Sequence, residues 1–140
     1  MNPPDKPPAP GISVAAGGAV PASARTRLPD RRPHVAFSFQ HSGIDYRCGF
    51  GWWPDGPQGR VAEIFLSTAK LGSDTDTNGR DASIAASLAL QYGADLDTIR
   101  RALCRNGNST ASGALGVALD HVARIIASEN VHQAGENPII

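Results

Sequence analysis

One stretch, Arg60 to Gly93, limits what this chain can fold into more than any other: RVAEIFLSTAKLGSDTDTNGRDASIAASLALQYG. Val61, Ala62, Ile64, Phe65 and Leu66 form a nearly continuous apolar run broken only by Glu63, the pattern of a strand covered on both faces. A loop containing Gly72 follows. From Ala82 to Leu90 only Ser83 and Ser87 are polar, while Ala82, Ala85, Ala86 and Ala89 make a small-residue face on which a helix can approach a sheet closely. The pattern predicts a central, buried helix from about Arg80, ended at Gly93, where a left-handed residue suits the C′ position.

The residues on either side agree with a strand and a helix here. Val35, Phe37 and Phe39 alternate with Ala36, Ser38 and Gln40; His41-Ser42-Gly43 supplies a turn; Ile44, Tyr46, Cys48 and Phe50 alternate with Asp45, Arg47 and Gly49. This is a β-hairpin with one apolar face. Trp52 to Gly59 is dense in turn residues and leads to a third strand, Arg60 to Ser67, so an antiparallel meander is expected. Beyond Gly93, Asp95 can cap a short helix carrying Leu96, Ile99 and Leu103, which stops near Asn106-Gly107. A third helix is expected from about Ala111, with Leu115, Ala118, Leu119, Val122 and Ile126 on its apolar stripe and Asp120 and Arg124 on its wet face. The fold class is therefore α+β, a three-stranded antiparallel meander packed on about three helices.

A chain of 140 residues holds one ordinary domain and one core. Residues 1–33 contain eight of the eleven prolines, too little apolar surface to offset the entropy of ordering, and read as a disordered tail. The rival reading is a signal peptide, with Gly11 to Val20 weakly apolar and Ala22-Ser23-Ala24 like a cleavage site; the proline-rich start and three glycines in the apolar part stand against it. Residues 34–128 make the α+β domain, and residues 129–140, without periodicity, a loose C-terminal tail. Formal net charge is zero, divided as +3 over the first 33 residues and −3 after them, which favours neither nucleic acid nor membrane as a partner. No apolar run has the length of a membrane span. Cys48 and Cys104 match neither a secreted disulfide framework nor a metal knuckle, so reduced thiols in a cytoplasmic protein are expected.

Glu63-Ile64-Phe65-Leu66, then Ala69-Lys70-Leu71-Gly72-Ser73, then Arg80 to Leu90, then Gly93 to Leu103 together resemble the TSCPD domain, a small module found at the end of vitamin-B12-dependent ribonucleotide reductases and also as separate short proteins. The likeness covers roughly residues 34 to 122. Its most specific parts are the Glu63 to Ser73 run and the helix end Ser87-Leu88-Ala89-Leu90-Gln91-Tyr92-Gly93. The family is named after a Thr-Ser-Cys-Pro-Asp run, and its cysteines are held to bind metal. This chain has neither that run nor paired cysteines, so no metal is expected on it. The resemblance implies an accessory module in deoxyribonucleotide supply, with a ribonucleotide reductase catalytic chain as partner and cobalamin only through that partner. Ribonucleotide reduction needs a radical cysteine and a separate reducing pair, and two thiols cannot supply three. The alternative is a small nucleotide- or phosphate-binding regulatory domain.

For such a ligand, Lys70, Gly72 and Ser73 ahead of a helix, with Arg80 near by, are the candidate phosphate cradle, although Asp74, Asp76 and Asp81 oppose it electrostatically. Asp74-x-Asp76-x-Asn78-Gly79 matches half a calcium loop, but the twelfth position is Ala85 rather than a bidentate glutamate. Trp52 and Trp53 either cover the sheet or anchor a partner. Arg100 and Arg101, with Arg105, are a basic edge that meets a partner or simply faces water. His34, His41, His121 and His132 lack ligand spacing and suit strand ends or wet helix faces. Cys48 and Cys104 suit small buried hydrophobes better than nucleophiles.

Overall fold

The computed structural model describes residues 24–54 and 60–135. Residues 1–23 of the tail expected at 1–33, residues 55–59 of the turn-rich stretch expected at 52–59 and residues 136–140 of the expected C-terminal tail lie outside them. Strands β1 (His34–His41), β2 (Ile44–Trp52) and β3 (Val61–Thr68) form one antiparallel sheet in the order β1-β2-β3, followed by helices α1 (Asp74–Gln91), α2 (Leu96–Ala102) and α3 (Ala114–Gly135). The molecule is α+β.

Ser42 and Gly43 join β1 to β2 with φ of 49° and 74°, both left-handed, as a two-residue hairpin turn requires. The resulting register sets Val35, Phe37 and Phe39 opposite Phe50, Cys48 and Tyr46, and these opposite Ile64, Leu66 and Thr68. Pleating puts all of these side chains on one face. Ala118, Leu119 and Val122 of α3 are fully buried in the core on that face, and Leu96, Ile99 and Leu103 pack against its margin. Ile64 and Leu66 each contribute about 1.5–3 kcal/mol by leaving water.

The helix expected to lie on the sheet instead runs along its edge. The side chains of α1 reach the outward backbone groups of β3: Ser87 Oγ accepts from Ile64 N at 2.9 Å, Ser83 Oγ from Leu66 N at 3.3 Å and Asp76 Oδ1 from Thr68 N at 2.9 Å, while Gln91 Nε2 donates to Ala62 O at 3.1 Å. Helix numbers rise as strand numbers fall, so the two run antiparallel. Four helical residues advance about 6 Å and two strand residues about 6.7 Å, so Gln91, Ser87 and Ser83 keep step with residues 62, 64 and 66. The edge that would otherwise offer itself to another strand is thereby closed by its own chain. Of the four alanines expected to face the sheet, Ala86 is buried and Ala85 exposed. The buried residues of α1 are Ala86 together with Asp76, Gly79, Ser83, Leu90 and Gln91.

Residues 24–33, expected in the tail, touch the other face of the sheet. Arg32 holds the buried Glu63 with both ends of its guanidinium, Nε to Oε1 at 2.5 Å and Nη2 to Oε2 at 3.0 Å, which explains an acid inside an apolar strand. The approach is close: a Cβ at Gly51 would crowd Glu63 Oε1 at 2.6 Å and Pro33 O at 3.1 Å. Thr26 N donates to Gln91 O at 2.8 Å, and Arg25 Nε to Gln91 Oε1 at 2.6 Å, so the segment reaches the end of α1.

Two helix boundaries differ from expectation. α1 begins at Asp74, capped by Ser73, so the half-match to a calcium loop is the first turns of a helix. α3 begins at Ala114, after a small bridged loop pairing Arg105 with Ala111, and runs on to Gly135 into the expected tail.

Candidate functional site

Residues with chemical potential stand beyond both ends of β3, which are about 23 Å apart by strand rise. At its C-terminal end the chain turns through Lys70-Leu71-Gly72-Ser73 into α1. Gly72 takes φ of 78°, which lets its N–H point back to Asp76 Oδ2 at 3.1 Å. Ser73 Oγ accepts from Asp76 N at 3.2 Å and donates to Lys70 O at 2.8 Å. Arg80 Nε donates to Asp76 Oδ2 at 2.9 Å. Three of the four residues expected to cradle phosphate are thus gathered around one buried carboxylate of their own chain. The Thr68 N–H, then those of Gly72 and the Arg80 guanidinium, hold that carboxyl below the usual range against the opposing effect of burial. Among the described residues, Lys70 carries the side chain of this set that no hydrogen bond or ion pair holds. Nothing in the sequence marked Asp76 as the centre, because its partners come from β3 and the loop.

At the other end of β3, Trp52 is half-buried with its ring 5.8 Å from Phe50, and the Arg60 guanidinium lies 5.0 Å above the Trp53 ring. Trp52 therefore covers the sheet margin, while Trp53 and Arg60 form the rim beside it. The arginines expected as one basic edge divide. Arg100 Nε and Arg105 Nη2 both donate to Asp120 Oδ1, at 3.0 and 2.8 Å, and Arg105 Nη1 donates to Oδ2 at 2.9 Å. Their hydrogen bonds, Arg105 first, hold the Asp120 carboxyl low. Asp120 is therefore a tie between the α2 end and α3, not the wet-face residue expected from helical spacing. Arg101 is not part of this tie and lines, with Arg60, a cavity of about 650 Å³. Sequence reasoning did not single out Arg60, since only the fold brings it to α2.

His121 also departs from a wet face: its ring centroid lies 5.5 Å from Phe37 and 5.4 Å from Phe39, and burial lowers its pKa. Both cysteines are free. Cys48 is fully buried, which pushes its thiol up to about 12 and makes it inert, whereas Cys104 is exposed, against expectation. Among the described residues no three His, Cys, Asp or Glu side chains cluster as metal ligands. No described helix is long and apolar enough to cross a membrane.

No family model matches this chain, and no solved structure does. A stretch of 75 residues, 54% of the chain, is 36% identical to the vitamin B12-dependent ribonucleotide reductase of Rhodopirellula baltica (strain DSM 10527 / NCIMB 13988 / SH1). The match spans 7% of that relative's length, so it links the chain to one part of a ribonucleotide reductase.

Proposed function

We propose that this chain is a ribonucleotide-reductase-related accessory module of the TSCPD type, acting in deoxyribonucleotide supply by contact with a reductase catalytic chain in the cytoplasm. The observation that carries the reading is the 36% identity over more than half of the chain. The chemistry of the chain agrees with a role short of catalysis: a radical thiol and a reducing pair need three cysteines, and of the two here one is inert and buried. Cobalamin enters through the partner alone.

For the contact we propose the exposed stripe of Ile84 and Leu88 on α1 and Tyr92 at its C-cap, spaced i, i+4 and i+8, with relative exposures of 57%, 39% and 51%. Three large apolar side chains in line on a helix whose other side is zipped to β3 are suited to a protein partner. Co-sedimentation of the purified chain with the reductase catalytic chain of the same cell is the test. A complex that Ile84→Glu and Leu88→Glu dissolve, with the melting temperature unchanged, is the expected result. No complex with the reductase defeats the proposal.

A further inference from the structure

The cavity between β3, α2 and α3 differs in kind from the two ion-pair clusters described above. Part of its wall is aliphatic, built from Val61 at the start of β3, Leu96 of α2, and Ala123 and Ile126 of α3, beside the polar Thr98 and Asn130. Its volume, about 650 Å³, lies within the range of small-molecule sites. Four charged residues line it, and they are not equivalent. Asp95 is occupied as a helix cap, accepting from Thr98 N at 2.7 Å, and Asp97 accepts from Arg100 Nη1 at 2.8 Å. Among the described residues Arg60 and Arg101 have no such partner. Among the described residues no hydrogen bond or ion pair holds either guanidinium; Arg60 rests on the Trp53 ring, and Arg101 acts on Asp95 only through its field.

Two arginines that no hydrogen bond or ion pair holds among the described residues, supplied by different elements to the lining of one partly aliphatic pocket, can receive an anion attached to an apolar body. A guanidinium matches phosphate oxygens in a bidentate fork, and a pair of them balances the double charge of a phosphate monoester. The planar face of a base or a similar ring suits the Val61, Leu96 and Ile126 wall. We infer that this cavity binds a phosphorylated small molecule of nucleotide size, with its phosphate on Arg60 and Arg101. The seat is separate from the Lys70 to Arg80 loop, where Asp76 already fills the place of the anion. The inference does not depend on association with a reductase, since the cavity belongs to this chain alone.

Isothermal titration of the full chain with adenosine monophosphate, adenosine and inorganic phosphate tests it. The nucleotide binds, and adenosine, lacking the charge, binds at least about tenfold more weakly, the scale of a charge-assisted hydrogen bond. Arg60→Ala and Arg101→Ala each weaken the nucleotide by a similar factor with the melting temperature unchanged, both side chains being exposed. Arg47→Ala, an exposed arginine of β2 away from this cavity, leaves affinity unchanged. Absence of binding at millimolar nucleotide overturns the inference, as does binding that survives loss of both arginines. Inorganic phosphate binding as tightly as the nucleotide overturns the part assigned to the aliphatic wall.

Discussion

Ser83 and Ser87 are the only polar residues between Ala82 and Leu90, and each accepts a hydrogen bond from a backbone N–H of β3. Ser87→Ala leaves the Ile64 N–H buried without a partner and costs about 1–3 kcal/mol, measured by urea unfolding, whereas Ala85→Ser on the exposed side stays within about 0.5 kcal/mol. The serines were legible as exceptions in an apolar run, but their role was not, because the groups they satisfy lie about twenty residues away in the chain. The same holds for Asp120, assigned to water by helical spacing and found between two arginines. Titration separates these groups. Asp76 and Asp120 have folded pKa values below the unfolded carboxylate near 3.9, so their stabilisation is present above that value and is lost as pH falls through the folded ones. His121, lowered by its burial against Phe37 and Phe39, has the same sign at a higher pH: its neutral form is favoured, and stability falls as pH drops from about 6.5 through its folded value. Comparing the melting temperature at pH 7.5 and 5 should give a loss that His121→Phe reduces. An equal loss in the variant would show that the ring does not couple folding to pH in this range.

At the scale of elements, the hairpin was readable because alternation, turn and register are all local: Ser42-Gly43 fixes which side chains share a face before any helix arrives. α1 was readable as a helix but not as an edge piece. Its apolar composition resembles that of a helix lying on a sheet, and only the four-residue spacing of Ser83, Ser87 and Gln91, matched to the two-residue spacing of the strand, marks the difference. Its start was misplaced because Asp74 to Gly79 contains turn-forming residues, while the cap at Ser73 and the bonds to Asp76 make them helical. The placement of α1 predicts a contrast between neighbouring apolar positions. Ile64→Ala in β3 should cost about 2–5 kcal/mol, and Ile84→Ala on the outer side of α1 should cost at most about 0.5 kcal/mol. Similar costs at the two sites would mean that α1 is buried on both sides.

Taken whole, the molecule is an α+β unit whose sheet has a core face, a face crossed by residues 24–33 and one edge sealed by α1, with its unengaged charged and apolar groups on the outside. Cys48 lies fully inside the core and Cys104 at the surface, both free. The sequence resemblance agrees with a partial likeness to one ribonucleotide reductase, whereas the sites were legible only in part, since Arg60, Arg101 and Asp120 owe their surroundings to the packing of α2 and α3. The central claim is that this chain serves a reductase without being one. Deoxyribonucleotide formation, followed with ribonucleotide, cobalamin and a dithiol, tests it most directly when the chain alone, the reductase alone and the two together are compared. The account predicts no product from the chain alone and a changed rate when it joins the reductase. Product from the chain alone, abolished by Cys48→Ser or Cys104→Ser, would contradict it.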